Sequence, residues 1–274
     1  MDWNRMNGPK MTEEQIEAYL ARIGLNGPVP LTLEGLTAIH QAHQYKIPFE
    51  NLDILLGRPL SLDHEALFDK LITRRRGGVC AELNTLYNWL LYSLGFEVRS
   101  FSSRIAGSGE TVEFRRHRVL GVTFGEDTYS TDVGSTMEYA RIPLLLKPGL
   151  TQDDGRCQYR YERDEVYGWL QYQKKPGQEW KALLGFTEEP QLDVDFITPM
   201  FYYELHPTSV MNKVPRVSYY TEEGIFAIRA TAGSTATKYL EEKAGVIQKA
   251  VEITGKEEEN RLLRELFRLD MEKI

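Results

Sequence analysis

Apolar and polar positions follow two different periods along this chain. Up to Gly95, apolar residues recur every three or four positions, which is the spacing of amphipathic helices. From Phe96 to about Ala230 they tend to alternate with polar residues, which is the spacing of strands. Helical spacing then returns. The predicted helices span residues 12–24, 31–43, 62–72, 80–95, 237–250 and 257–271.

A predicted β-hairpin around Gly125 and Glu126 brings two ionisable side chains together. If these two residues form the loop, Asp132 lies opposite Val119 in the ladder. His117 shares a face with Val119, so His117 and Asp132 become diagonal neighbours on one face. A loop one residue longer would send them to opposite faces. Strands are predicted at 96–101, 103–106, 116–124, 129–134, 158–161, 166–172, near 180, and as a second hairpin at 217–220 and 224–230, with a connecting segment at 193–203.

Composition narrows the classes of function. The formal charge is −7 and the pI is near 5.4, so the chain has no electrostatic reason to bind nucleic acid or an anionic membrane. The only cysteines are Cys80 and Cys157, which give neither a disulfide framework nor zinc-type spacing, so no metal is expected. The first ten residues are polar, unlike a signal peptide, and no apolar run approaches membrane-spanning length. We expect a soluble cytoplasmic protein, and 274 residues favour two or three packed sub-domains.

The run Arg74–Asn84 places a cysteine at the start of a predicted helix. A thiol there faces unpaired backbone N–H groups and the positive end of the helix dipole, and both favour the thiolate. Gly77 and Gly78 precede Cys80 and leave room above the sulfur. The alternative is a buried small residue without chemical function.

Cys80, His117 and Asp132 together have the chemistry of an activated thiol. The imidazole takes the thiol proton, and the carboxylate holds the other ring N–H and stabilises the imidazolium. Such a sulfur attacks an activated acyl group, forms a thioester and passes the acyl group to a second nucleophile. As alternatives, His117 beside several arginines could be a solvated strand residue, and Asp132 a turn residue.

These motifs resemble those of the arylamine N-acetyltransferase family. The run Arg75-Arg76-Gly77-Gly78-x-Cys80-x-Glu82-x-Asn84 is similar to the family's signature. The run Ile47-Pro48-Phe49-Glu50-Asn51-Leu52 and the helix residues Tyr19–Ile23 resemble two further family motifs. His117 and Asp132 occur in the order and spacing of the family's catalytic histidine and aspartate. The resemblance is strong over residues 12–134 and weaker beyond them.

The resemblance implies an α+β fold with a cysteine-protease-like core. Its parts would be an N-terminal helical bundle (1–95), a central β-barrel (96–203) and a C-terminal α/β lid (204–274). It also implies a ping-pong reaction of xenobiotic metabolism, in which acetyl-CoA acylates Cys80 and an arylamine or arylhydrazine takes the acetyl group. Substrate would contact Phe49, Ile105 and Ser135; CoA would contact Gly134, Ser135 and Thr136; and Arg22, Glu50 and Arg76 would form an ion-pair network.

The sequence departs from the family pattern at three places. Ser135 and Thr136 stand where an aromatic residue and a glycine are usual, which implies a wider or more polar pocket. Val79 and Ala81 are small where larger residues are common. Arg116 precedes the histidine, and if it turned inward it would disfavour the imidazolium.

The residues leave two alternative functions open. The same triad could serve an amide synthase or a cysteine hydrolase acting on a larger acyl substrate. A binding protein could also keep the fold without turnover, although the presence of Cys80, His117 and Asp132 together argues against it.

Overall fold

The structure of the chain is a computed structural model, and it describes residues 7–106, 112–135, 139–230, 237–243 and 246–269. The N-terminal part is a bundle of helices around one apolar core. A two-residue strand, β1, follows the second helix. The elements of this part are α1 (Glu13–Ile23), α2 (Leu33–Lys46), β1 (Phe49–Glu50), α3 (Leu52–Leu55), α4 (His64–Phe68) and α5 (Cys80–Leu94).

Local sequence signals set the ends of these helices. The Thr12 side chain accepts from the Gln15 backbone N–H, and the Gln15 side chain accepts from the Thr12 backbone N–H, forming a capping box that starts α1. Gly95 ends α5 in the left-handed conformation at φ 110°, where glycine has no Cβ penalty. The predicted helix at 62–72 is instead two pieces, since α4 passes into a π-helical turn at Asp69–Thr73. That turn leads into the loop before Cys80.

The middle of the chain forms an eight-stranded antiparallel sheet in the order β5-β4-β3-β2-β9-β8-β7-β6. Pro148, just after β5, bridges to Tyr161 of β7, so the sheet curls back on itself and nearly closes as a barrel. Its apolar interior is a separate core from that of the helical bundle. The strands are β2 (Glu97–Ile105), β3 (His117–Phe124), β4 (Asp127–Thr131), β5 (Leu144–Leu145), β6 (Gln152–Asp153), β7 (Gln158–Asp164), β8 (Gly168–Lys174) and β9 (Lys181–Phe186).

The hairpin of β3 and β4 has the two-residue loop that the sequence predicts. Phe124 pairs with Asp127 and Leu120 pairs with Thr131, so only Gly125 and Glu126 lie between the strands. The same register carries Asp132, the residue after β4, to a position opposite Val119. The prediction of the loop length was therefore correct.

The C-terminal part pairs a second sheet with a helix. The sheet has the order β1-β10-β11-β12-β13, so a strand from the N-terminal part completes it. The helix α7 packs its apolar side on this sheet. A connecting segment, a 3₁₀ turn at Asp193–Phe196 and then α6, joins the barrel to this part. The elements are α6 (Ile197–Leu205), β10 (Val217–Tyr220), β11 (Ile225–Ala230), β12 (Thr237–Lys243), β13 (Val246–Glu252) and α7 (Lys256–Phe267).

The helix predicted over 237–250 is wrong. Residues 237–243 and 246–252 form the antiparallel pair β12 and β13, and β12 in turn pairs with β11. The segment is rich in Lys, Glu and Ala, which favour helix, but the free edge of β11 supplies a ladder that overrides this local preference. The second hairpin, β10 with β11, is as predicted. The last helix begins as predicted, but it ends at Phe267 and not at Met271, because Arg268 takes the left-handed conformation at φ 58°.

Candidate active site

A cleft of about 1130 Å³ opens where the helical bundle, the barrel and the connecting helix α6 meet. Cys80, the first residue of α5, lies on its wall and is buried, as is His117 at the start of β3. The structure also places four predicted substrate or CoA residues on this wall. They are Phe49, Ile105, Gly134 and Ser135. Thr136, the remaining residue of that prediction, lies outside the described residues.

The hairpin places His117 against Asp132. The His117 Nε2 atom lies 2.5 Å from Asp132 Oδ2. The Cys80 thiol interacts with the same imidazole and helps to raise its pKa, and because Nε2 faces Asp132, the Nδ1 atom is the one left for sulfur. The three side chains therefore form a continuous chain of contacts from sulfur through imidazole to carboxylate, in the order that activates a thiol.

Electrostatics favour a charged imidazole in this chain of contacts. Burial opposes protonation, but the Asp132 carboxylate and then Cys80 outweigh it and raise the pKa of His117 to about 10. Burial likewise raises the pKa of Asp132, but His117, the Asn84 amide and the Gly134 N–H lower it by more, so this pKa falls below its ordinary value. His117 is thus held as imidazolium beside an ionised Asp132 near neutral pH.

Asn84, one turn into α5, holds Asp132 in place. Its Nδ2 donates to Asp132 Oδ1 at 2.8 Å and to the Arg118 carbonyl oxygen at 2.9 Å. Its Oδ1 accepts from the Val133 backbone N–H at 3.1 Å. Asn84 belongs to the signature run around Cys80, but the sequence alone gave it no role. The helix that carries the thiol therefore also orients the carboxylate.

Gly134 allows the loop after Asp132 to approach the nucleophile. A Cβ at this position would lie 2.7 Å from Asn84 Nδ2 and 2.8 Å from Cys80 Cα, which is closer than carbon atoms tolerate. The Gly134 N–H also donates to Asp132 Oδ1 at 2.9 Å. The absence of a side chain at Gly134 is what permits the loop to close over the start of α5.

Tyr203 of α6 is a site residue that sequence reasoning missed. Its hydroxyl lies 3.8 Å from Cys80 Sγ and donates to the Arg116 carbonyl oxygen at 2.7 Å. Burial and the Cys80 charge raise the pKa of Tyr203 well above its ordinary value, so the phenol stays neutral. A tyrosine 123 positions after the cysteine gives no local signal, and only the packing of α6 across the cleft reveals it.

Buried charges lie behind the thiol. Arg76 contacts Glu50 at 2.7 Å and Asp53 at 3.1 Å. Lys70 contacts Asp53 at 2.7 Å and Glu82 at 2.8 Å, and a Glu82 oxygen accepts from the Val79 N–H. The sequence predicted the pair of Arg76 and Glu50 but missed the other members.

Arg22 corrects the prediction of an ion-pair network. Its guanidinium donates to the backbone carbonyl oxygens of Leu71, Lys46 and Arg75. It therefore fixes the ends of neighbouring segments through hydrogen bonds rather than by pairing with Glu50. The sequence pattern could identify a buried arginine but not which acceptors the fold would bring to it.

Arg116 does not act on the imidazole in the way that its position suggested. Its guanidinium contacts Glu113 at 2.8 Å and packs over the Phe114 ring on the cleft wall. Its charge is therefore paired with an acid, and Asp132 and Cys80 dominate the environment of His117.

The part of the chain that the structure describes lacks two kinds of feature. No group of three or more metal-binding side chains occurs in that part of the chain. Within the same ranges, none of the helices combines the length and the apolar character that crossing a membrane requires.

Comparison with known proteins gives consistent matches. A family model described as N-acetyltransferase matches residues 32–274. The arylamine N-acetyltransferase of Mycolicibacterium smegmatis is 36% identical over 232 residues, covering 81% of this chain and 84% of that protein. Among solved structures, the arylamine N-acetyltransferase from Salmonella typhimurium has a TM-score of 0.85 at 28% identity and covers 94% of this chain and 92% of that one.

A further solved structure was determined with a ligand. The Mycobacterium marinum arylamine N-acetyltransferase in complex with CoA has a TM-score of 0.81 at 29% identity, and the match covers 92% of both chains. The structural matches thus extend over nearly the whole of this chain, including the α+β arrangement of bundle, barrel and C-terminal sheet.

Proposed function

The chain belongs to the arylamine N-acetyltransferase family and is an acyltransferase, and we propose that it moves an acetyl group from acetyl-CoA to the nitrogen of an arylamine or arylhydrazine through a Cys80 thioester. The observation that carries this proposal is the contact chain of Cys80, His117 and Asp132 on the wall of a cleft large enough for substrates. The solved CoA complex of the Mycobacterium marinum relative supports CoA as the carrier of the acetyl group.

The first half-reaction loads the enzyme. The Cys80 thiolate attacks the carbonyl carbon of acetyl-CoA, and the bond between that carbon and the CoA sulfur breaks. The His117 imidazolium gives its proton to the departing sulfur, so free CoA and a neutral imidazole result. The Cys80 backbone N–H, at the start of α5, is a proposed donor to the oxyanion that forms in between.

The second half-reaction unloads the enzyme. The acceptor nitrogen attacks the Cys80 thioester, and the neutral His117 takes the proton that this nitrogen loses. The carbon–sulfur bond then breaks, and the thiolate and imidazolium are restored beside Asp132. Aromatic amines suit this step, because their low basicity leaves them neutral near pH 7 and their flat rings fit a cleft wall such as that around Phe49.

Several narrower assignments remain predictions. Phe49, Ile105 and Ser135 are proposed to contact the acceptor, and the loop Gly134–Thr136 to contact CoA. The division at residues 95 and 203, the cytoplasmic location and a role in xenobiotic metabolism are proposals of the same kind.

Steady-state kinetics tests the proposed order of events. Acetyl-CoA and an arylamine are varied together, and double-reciprocal plots should give parallel lines, as a ping-pong reaction requires. Cys80→Ala should abolish turnover while the variant keeps the thermal stability of the wild type. Intersecting lines, or turnover that survives in Cys80→Ala, would show that the acetyl group does not pass through this thiol.

The volume of the cleft favours one alternative function. About 1130 Å³ is slightly above the usual range for small-molecule sites, and the wall beside Cys80 carries Ser135 rather than an aromatic residue. An amide synthase or a hydrolase with a larger acyl substrate would use the same triad. Rates with longer acyl thioesters and with amide substrates, compared with acetyl-CoA, separate these activities.

A further inference from the structure

Arg216 lies on the wall of the same cleft as Cys80, immediately before β10. Side chains alternate along a strand, so Arg216 shares a face with Ser218 and Tyr220. The Ser218 hydroxyl donates to the Ser135 carbonyl oxygen at 3.4 Å, and the Tyr220 hydroxyl accepts from the Tyr139 N–H at 3.4 Å. This face of β10 is therefore the one that packs against the loop after Asp132, and Arg216 extends the same face along the cleft.

The charge of Arg216 has no acidic partner among the described residues. The other arginines nearby do have one: Arg116 contacts Glu113 at 2.8 Å, and Arg229 contacts Glu242 at 2.9 Å. Arg115, also on the cleft wall, lies 4.0 Å from Glu189. The half-buried guanidinium of Arg216 is the exception within this group.

The surroundings of Arg216 make its unpaired charge energetically unfavourable. The Nε atom of Arg216 is buried and has no hydrogen-bond partner in the described part of the chain. Burial, and then the neighbouring Arg229 charge, lower the pKa of Arg216 from its ordinary value. An arginine nevertheless stays charged near neutral pH, so a partly desolvated cation remains on the cleft wall without compensation.

The acids that share the cleft do not supply the missing partner. Glu113 is held by Arg116, and an Asp195 oxygen accepts from the Leu192 backbone N–H at 2.7 Å. A guanidinium in this position gains most from a negatively charged group that enters the cleft, because a planar fork of N–H donors matches a carboxylate or a phosphate.

We propose that Arg216 binds an anionic group of a substrate in the active-site cleft, either the carboxylate of an acidic aromatic amine or a phosphate of the acyl donor. The proposal rests on the proposed function, since it names which part of a substrate this wall recognises. It makes Arg216 a binding residue and not a member of the triad.

Matched pairs of substrates distinguish the two sources of the anion. The acceptor pair is 4-aminobenzoate and the neutral 4-aminobenzamide; the donor pair is acetyl-CoA and S-acetylpantetheine, which lacks the phosphates. Arg216→Met should lose about 10- to 100-fold in kcat/KM for the charged member of one pair and less than about twofold for its neutral counterpart. Arg216→Lys should recover part of the loss.

A control variant separates the effect of charge on the cleft wall from the effect of the protein's net charge. Arg261 is exposed on α7, where it pairs with Glu265, and Arg261→Met removes the same charge outside the cleft. This variant should leave the ratio of kcat/KM between the charged and the neutral substrate unchanged in both pairs. Thermal unfolding of each variant shows whether any loss reflects misfolding. Equal changes for charged and neutral members of both pairs in Arg216→Met would overturn the proposal.

Alkylation of Cys80 tests Arg216 without acetyl transfer. Iodoacetate and iodoacetamide differ in charge but react with a thiol in the same way. The ratio of the iodoacetate rate to the iodoacetamide rate should fall severalfold in Arg216→Met and stay at the wild-type value in Arg261→Met. If wild-type protein fails to take an acetyl group, the proposed function fails, yet this ratio still decides whether Arg216 attracts anions. An unchanged ratio would count against the proposal.

Discussion

The Nδ2 atom of Asn84 lies 2.8 Å from Oδ1 of Asp132, so one helix both carries the proposed nucleophile and orients the carboxylate behind its imidazole. The two residues are 48 positions apart, in different parts of the fold. Their contact joins the helical bundle to the barrel at the point where the two meet. The spacing between thiol and imidazole consequently depends on how these parts dock.

We predict that Asn84→Ala lowers kcat/KM for acetyl transfer by about 10- to 100-fold, because a hydrogen bond to a charged group is lost and Asp132 is freed to turn. The pH profile of activity should shift as well, since the carboxylate then stabilises the imidazolium less. Asn88→Ala is the matched control, since Asn88 lies one turn along α5 and bonds to Asn7 instead. An equal loss of activity in both variants would mean that Asn84 acts only through stability.

The pKa of His117 predicts how stability depends on pH. Its value in the folded protein is about 10 and its ordinary value is 6.5. A raised pKa contributes stability fully below the ordinary value, and this contribution is lost as pH rises through the folded value. The advantage of wild type over His117→Gln in free energy of unfolding should therefore be complete near pH 6 and decline toward about pH 10.

Denaturant unfolding at several pH values checks this dependence. The difference should amount to a few kcal/mol at most, since one pKa unit corresponds to about 1.4 kcal/mol. A difference that stays constant over this range, or grows with pH, would contradict the charged imidazole and favour a neutral one.

Substitution of Lys70 should destabilise the fold far more than substitution of an exposed basic residue. It is buried between Asp53 and Glu82, so Lys70→Met leaves the buried Glu82 without its cation, while Asp53 keeps only its contacts with arginines such as Arg76. Breaking a buried pair in this way costs about 3–5 kcal/mol in the free energy of unfolding. The exposed pair of Arg261 and Glu265 gives the comparison, and Arg261→Met should change stability by about 0.5 kcal/mol or less. Similar effects of the two substitutions would show that the buried cluster is solvated.

Gly134→Ala should disturb the site more than the stability of the fold. The added Cβ would meet Asn84 Nδ2 at 2.7 Å and Cys80 Cα at 2.8 Å, so the loop after Asp132 must move away from α5. We expect the rate of Cys80 acetylation to fall by at least about tenfold, because small displacements at a reacting centre cost about that much or more. Gly27→Ala is the control, since Gly27 has φ +83° and open space around it. It should cost stability through backbone strain and leave the acetylation rate unchanged. Unchanged acetylation in Gly134→Ala would mean that the loop tolerates the shift.

The sequence predicted the local features of the site well, because they depend on neighbouring residues. Thr12 and Gln15 cap a helix, and a two-residue loop sets the register of His117 and Asp132. Cys80 at the start of α5 also follows from helical spacing alone. Each of these needed only the periods of helix and strand together with turn chemistry.

The sequence did not predict the features that depend on packing between distant parts of the chain. Tyr203 reaches Cys80 only because α6 crosses the cleft, and Lys70 meets Glu82 only because a π-helical turn redirects the chain. The residues 237–250 favour helix locally, yet 237–243 pair as a strand with the edge of β11, and the strand that begins at Val246 pairs with them. Arg22 was expected to meet an acid and meets carbonyl oxygens instead. In each case the deciding partner is far away in the chain.

Intact-mass spectrometry after brief mixing with acetyl-CoA, without acceptor, is the sharpest test of whether Cys80 carries the acetyl group. We predict a gain of one acetyl group in wild type, none in Cys80→Ala, and loss of the adduct when an arylamine is added. An adduct that persists in Cys80→Ala, or a wild-type protein that stays unmodified while its thiol still alkylates readily, would contradict this prediction.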